Sequence, residues 1–189
     1  MQLIRRSHKR AGAIALYDAI VAQSRRPEFY LHCGVPDTVD GRFDMIALHA
    51  FMVLRRLKDG HRDCARALLE AVFDDMDRSL REMGAGDLGV SRRVKAMATA
   101  LYGRIAAYEA ALDGDEAALG EALRRNLYGT VEPNAESIDA MAVYVRAEAA
   151  SVEHQSVETI VAGRVVFGAP PRDGGTAADE PSDGASDRA

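Results

Sequence analysis

Residues 45–54 read MIALHAFMVL, ten positions without a formal charge, bounded by Arg42 and Asp44 before and by Arg55 and Arg56 after. At about 3.6 residues per turn such a run covers every face of a helix, so one buried side would leave the opposite side stranded in water. The helix it belongs to, about Arg42 to Lys58, is therefore expected at the centre of a bundle. Ten residues are too few to cross a bilayer, which takes about 20. His49, in the middle of the run, reads as a neutral core histidine with one hydrogen-bond partner.

The remaining chain supplies partners for such a helix. Helical periodicity runs from about residue 8 to about residue 160. A first helix carries Ile14, Tyr17 and Val21 and stops near Arg26, because Pro27 disfavours helical geometry in the residue before it. The stretch FYLHCGVPDTVDG reads as an ordered loop, with Asp37 or Asp40 available to cap the central helix. A third helix, about His61 to Met83, buries Cys64, Leu68, Val72, Met76 and Leu80 at steps of four. Its charged face offers the i,i+4 pairs Asp74–Arg78 and Asp77–Arg81. A fourth, about Leu88 to Asp113, aligns Val94, Met97, Leu101, Ile105, Tyr108 and Leu112. Helices at about Asp115–Asn126 and Ala135–Thr159 follow, the second capped by Asn134. IVAGRVVF, residues 160–167, has β-branched character but no evident partner strand.

The expected fold is all-α: a single compact helical-bundle domain of about six helices with a disordered C-terminal tail. Residues 1–9 form a basic N-terminal segment, 10–163 the helical domain, and 164–189 a Gly-, Pro- and Asp-rich tail with little to bury. The 189 residues, 48 % of them apolar, suffice for one core. A net charge of −5 argues against nucleic acid as the bulk partner. Two cysteines without an apolar leader fit a reducing compartment, giving a cytoplasmic expectation.

GAGDLG at residues 84–89 matches the glycine pattern of a dinucleotide turn. That turn works only between a strand and a helix whose first amides meet the pyrophosphate. Here the preceding EAVFDDMDRSLREM has helical period, so the glycines read as a connector, with Gly84 as a C-cap and Asp87 starting the next helix. No other constellation places catalysis. His32-Cys33 and His61-x-x-Cys64 lack the paired spacing of structural zinc, Glu153-His154 lacks the spacing of a di-iron bundle, and neither cysteine has a base set beside it. No catalytic residue, metal or cofactor is expected, and the chain reads as a non-enzyme.

Charge is the remaining signal. Asp37, Asp40, Arg42 and Asp44 crowd the start of the most buried helix. Arg92, Arg93 and Lys95 sit in the first turns of the fourth helix, where positive charge opposes the helix dipole. With Asp75, Arg78 and Arg81 of the third helix, they are the candidate surfaces for holding another protein. The alternative reading is a helical domain holding a small molecule or lipid, quinone- or haem-like, between helices.

GVPDTVDGRFDMIALHAFMVLRRLK and FDDMDRSLREMGAGDLGVSRRVKAMATALYGR together resemble the ubiquinol–cytochrome c chaperone family, whose mitochondrial members assemble the cytochrome bc1 complex. The resemblance spans about residues 10–160. It implies a helical, non-enzymatic chaperone with cytochrome b or another bc1 subunit as client, in a bacterial member acting on the cytoplasmic face of the inner membrane. It also implies a small helical partner protein, with a homodimer or a lone monomer as alternatives, and contact with the ribosome. The basic run Arg5, Arg6, His8, Lys9, Arg10 would suit peripheral contact with anionic lipid or ribosomal RNA. The acidic tail has no match in the mitochondrial pattern.

Overall fold

Pro27 divides the start of the chain as its ring dictates. Helix α1 (Gln2–Ser24) ends ahead of it, and α2 (Pro27–Leu31) opens on it, at a position where a missing amide hydrogen costs nothing. The computed structural model describes residues 2–82 and 87–172, the side chains of 2–9, 87, 88 and 116 excepted. The elements that follow are α3 (Val39–Leu57), α4 (Arg62–Glu82), α5 (Asp87–Leu112), α6 (Glu116–Asn126), α7 (Ala135–His154) and α8 (Val157–Val161). The described residues contain helices and no strands.

Helix α3 is the axis. Met45, Leu48, Phe51 and Met52 face a core completed by Phe29 of α2, Tyr108 of α5, Leu119 and Leu123 of α6, and Met141 and Val145 of α7. Ala47, Ala50, Val53, Leu54 and Leu57 face a second core with Leu16 and Ile20 of α1, Leu68, Val72 and Met76 of α4, and Ile160 of α8. One helix serves two cores, which is why its sequence is apolar all round. The five positions expected to be buried on α4 are buried.

The connections differ from expectation in instructive ways. Part of the expected loop, Phe29–Leu31, is helical, and Phe29 is fully buried. The cap of α3 is Thr38, not Asp37 or Asp40: its side chain accepts from the Gly41 amide at 3.1 Å. Asp37 lies outside the helix and turns to Arg42 at 2.7 Å, while Asp40 sits in the first turn, where only the dipole rewards it. Gly41 is required there, since a Cβ would collide with the Pro36 carbonyl folded back over the turn. On α4 the Asp77–Arg81 pair forms at 2.6 Å, but Asp74–Arg78 does not. Asp74 faces α1 and lies 3.6 Å from Arg10, and Arg78 pairs with Asp75 at 3.2 Å.

The helix expected over 135–159 is capped by Asn134 as predicted but breaks at Gln155, which is extended. Both ends of the Gln155 side-chain amide are taken by the Val166 backbone, at 2.7 and 3.0 Å, and Ser156 caps α8. Residues 164–172, placed in the tail by composition, run back along α7 as an extended strap. Phe167 packs on His49, and Pro170 is buried. Residues 173–189 lie outside the described residues.

Candidate functional site

The glycine motif is flanked by helix on both sides: α4 continues to Glu82 and α5 begins at Asp87, with Gly89 inside it. No strand leads into the turn. The capping roles expected of Gly84 and the Asp87 side chain lie outside the described residues.

The chemistry-bearing side chains in the interior hold the fold together. His49 is fully buried and makes more contacts than the single one expected. Its Nδ1 lies 2.9 Å from the Met45 carbonyl and 3.1 Å from Ser24 Oγ, and its Nε2 lies 2.8 Å from Tyr144 Oη. A carbonyl only accepts, which assigns the proton to Nδ1 and leaves Nε2 accepting from Tyr144. Gln23 Nε2 then donates to Tyr144 Oη at 2.9 Å and to the Gly168 carbonyl at 2.8 Å. Burial pushes the imidazole down to about 4, keeping it neutral, with only the Met45 carbonyl pulling it back. The relay ties α1, α3, α7 and the strap together. The Glu148 carboxylate, itself buried, adds a bond from the Gly168 amide at 2.9 Å.

Of the charged candidates, Asp44 is buried. Arg104 of α5 lies 2.7 Å from its Oδ1, approaching off the hydrogen-bond direction, and stacks 5.3 Å over the Phe43 ring. Burial pushes the Asp44 carboxyl up to about 7, with the guanidinium drawing it back and Asp40 adding to the rise. Its partner is thus on α5, and Asp44 lies inside the protein although it was read as part of a candidate binding surface. Asp37, Asp40 and Arg42 are exposed at the start of α3. Asp75 accepts from Tyr17 Oη at 2.7 Å and pairs with Arg78 on the flank of α4, where Arg81 also lies. Arg92, Arg93 and Lys95 are exposed on α5 and form no ion pair with a described residue, Asp74, Asp75 and Asp77 being matched elsewhere. The candidates therefore fall into two surface groups, with Asp44 inside the protein. No hydrogen bond or ion pair joins the two groups among the described residues.

Among the described residues no group of three or more His, Cys, Asp or Glu is placed to hold a metal. Cys64 is buried as a small apolar side chain, and Cys33 Sγ lies 3.9 Å from the Pro171 carbonyl. The feature that sequence reasoning missed is an open groove of about 720 Å³ between α7 and the strap, lined by Val143, Ala147 and Pro171 with the acidic side chains of Glu136, Asp139 and Glu148. A signal existed. Ala140, Val143, Ala147 and Ala150 are uncharged at helical spacing on the outward side of a surface helix.

Four relationships accompany this geometry. The chain is 24 % identical over 160 residues to ubiquinol-cytochrome-c reductase complex assembly factor 1 of Xenopus laevis, covering 82 % of this chain and 80 % of that protein. It is also 24 % identical over 153 residues to the Mus musculus protein of that name, spanning 79 % of itself and 52 % of the relative, about half its length. The crystal structure of the Cbp3 homolog from Brucella abortus superposes with a TM-score of 0.76 at 37 % identity, covering 89 % of this chain and 96 % of that one. The family model described as ubiquinol-cytochrome C chaperone matches residues 31–167, which run from the end of α2 through both cores to Phe167 of the strap. With its sequence and its helical fold agreeing over that span, the chain belongs to the ubiquinol–cytochrome c chaperone family.

Proposed function

We propose that this chain is a non-enzymatic assembly chaperone for the ubiquinol–cytochrome c reductase (bc1) complex. Its client is newly made cytochrome b, held at the cytoplasmic face of the inner membrane. The observation that carries this reading is the family match over residues 31–167, joined to the assembly-factor name of the frog relative. The interior chemistry supports it: His49, Asp44 and Tyr144 are committed to contacts between helices, and Glu148 to the strap. Phe29, Phe51, Tyr108 and Tyr128 are fully buried between the helices.

Binding falls to the surface. Asp40, Arg78, Arg92 and Arg93 remain at the water interface and would orient a client by charge, setting association rate and register more than affinity. No helix among the described residues is long and apolar enough to cross a membrane. Deleting the gene lowers spectroscopically measured cytochrome b and bc1 activity. Unchanged levels during respiratory growth would overturn the reading.

A further inference from the structure

The outer face of α7 is built differently from the other surface helices. Arg146 is drawn off that face, donating to the Leu112 and Asp115 carbonyls at 3.5 and 2.8 Å. What remains outward from Ala140 to Ser151 is Ala140, Val143, Ala147, Ala150 and Ser151, about three turns without a charge. Val143 is 65 % exposed at the middle, and Val166 of the strap is 72 % exposed near the C-terminal end. Small side chains let another backbone approach closely, and the strap supplies a second wall through Ala169 and Pro171. At the N-terminal end of α7, Glu136 and Asp139 border the groove and form no ion pair with a described residue.

We infer that this groove is a docking site for an apolar polypeptide segment flanked by lysine or arginine. The charge at the rim selects the occupant: Glu136 and Asp139, without an ion-pair partner among the described residues, attract a cationic flank and repel an anionic one, and Glu148, which also lines the groove, adds charge of the same sign. The same argument disfavours the chain's own residues 173–189, which carry five acids and one arginine. Apolar segments with basic flanks are the sequence signature of membrane-protein helices at the cytoplasmic boundary. The groove therefore gives the chaperone reading, on which this inference rests, a specific place to hold its client.

The test uses the full chain and two fluorescein-labelled synthetic helices with one Leu/Ala core, one flanked by lysines and the other by glutamates. Anisotropy titration is expected to show tighter binding of the lysine-flanked helix. Val143→Asp weakens it by roughly tenfold, and Glu136→Lys with Asp139→Lys reverses the preference between helices. All three positions are on the surface, and the charge reversal still gives a reading should Val143→Asp fail to fold. Equal affinity for the two helices, or affinity unchanged in both variants, overturns the inference. So does binding seen only after removal of residues 173–189, or sedimentation showing a dimer that Val143→Asp dissociates. In cells, variants that restore cytochrome b to a deletion strain as well as the parent chain would sink the groove and leave the chaperone reading standing. A deletion without effect on cytochrome b would sink the chaperone reading itself.

Discussion

Replacing Tyr144 by phenylalanine removes one oxygen from the buried relay and leaves every carbon in place. Tyr144 Oη donates to His49 Nε2 and accepts from Gln23 Nε2, so the change leaves one acceptor and one donor without their partner. His49 is fully buried and has no route to water, while Gln23 is 8 % exposed and keeps its bond to the Gly168 carbonyl. A buried polar group left unsatisfied costs about 1–3 kcal/mol. The histidine should bear most of that range and the glutamine the lower end, for a total of about 2–4 kcal/mol. The ring keeps its edge-on contact with Phe29 at 5.2 Å, so no cavity term adds to this. Urea unfolding at pH 7.5 is the assay, with an unchanged slope expected because the surface exposed on unfolding is unaltered. Tyr108→Phe is the control. The Tyr108 hydroxyl is buried without a hydrogen-bond partner among the described residues, so its removal orphans nothing and should change stability by less than about 1 kcal/mol. A Tyr144→Phe loss no larger than that of the control would refute the relay as a stabilising unit.

Two further outcomes follow from the same interior. The fall of the His49 imidazole from 6.5 to about 4 means that the unfolded chain binds a proton first, so stability is lost as pH falls between those values, by roughly 3 kcal/mol at about 1.36 kcal/mol per pH unit. Asp44, raised from 3.8 to about 7, acts oppositely, its contribution being lost as pH rises through that window. Asp44→Asn should therefore steepen the acid loss between pH 6.5 and 4.5 in urea midpoints, and an unchanged profile would contradict it. At Gly168→Ala the new Cβ forces the Glu148 carboxylate aside and should break its bond from the 168 amide, seen as faster amide exchange around residue 168 with α4 unaffected. Exchange unchanged over the strap would contradict its anchoring role.

The reading of α3 shows why so much of the fold was legible. Ten successive uncharged residues admit one solution in a chain of this length, a helix enclosed on all sides, and the structure encloses it between two cores. The steps of four on α4 and the Asn134 cap were equally readable, because period and capping are local properties of the chain. The Thr38 cap was misread because three acceptors stood within reach, and only the fold of Pro36 over Gly41 selects among them. Asp74 was paired wrongly because an i,i+4 rule cannot know that α1 crosses beside it. The strap was misjudged from composition. Its residues look unstructured in isolation and are ordered by Gln23, Glu148 and Gln155, which lie 11 to 145 positions away.

The sequence by itself determined the six longer helices, the central place of α3 and the helical period of the residues before the glycine turn, since hydrophobic period and helix punctuation act over a few residues. Tertiary structure alone decided that Asp44 is buried against Arg104, that His49 Nε2 meets the Tyr144 hydroxyl 95 positions away, and that the face of α7 lies open beside a strap. Those features depend on groups brought together across tens of residues, where burial and distance, not chain neighbours, set the energy of a charge or a hydrogen bond.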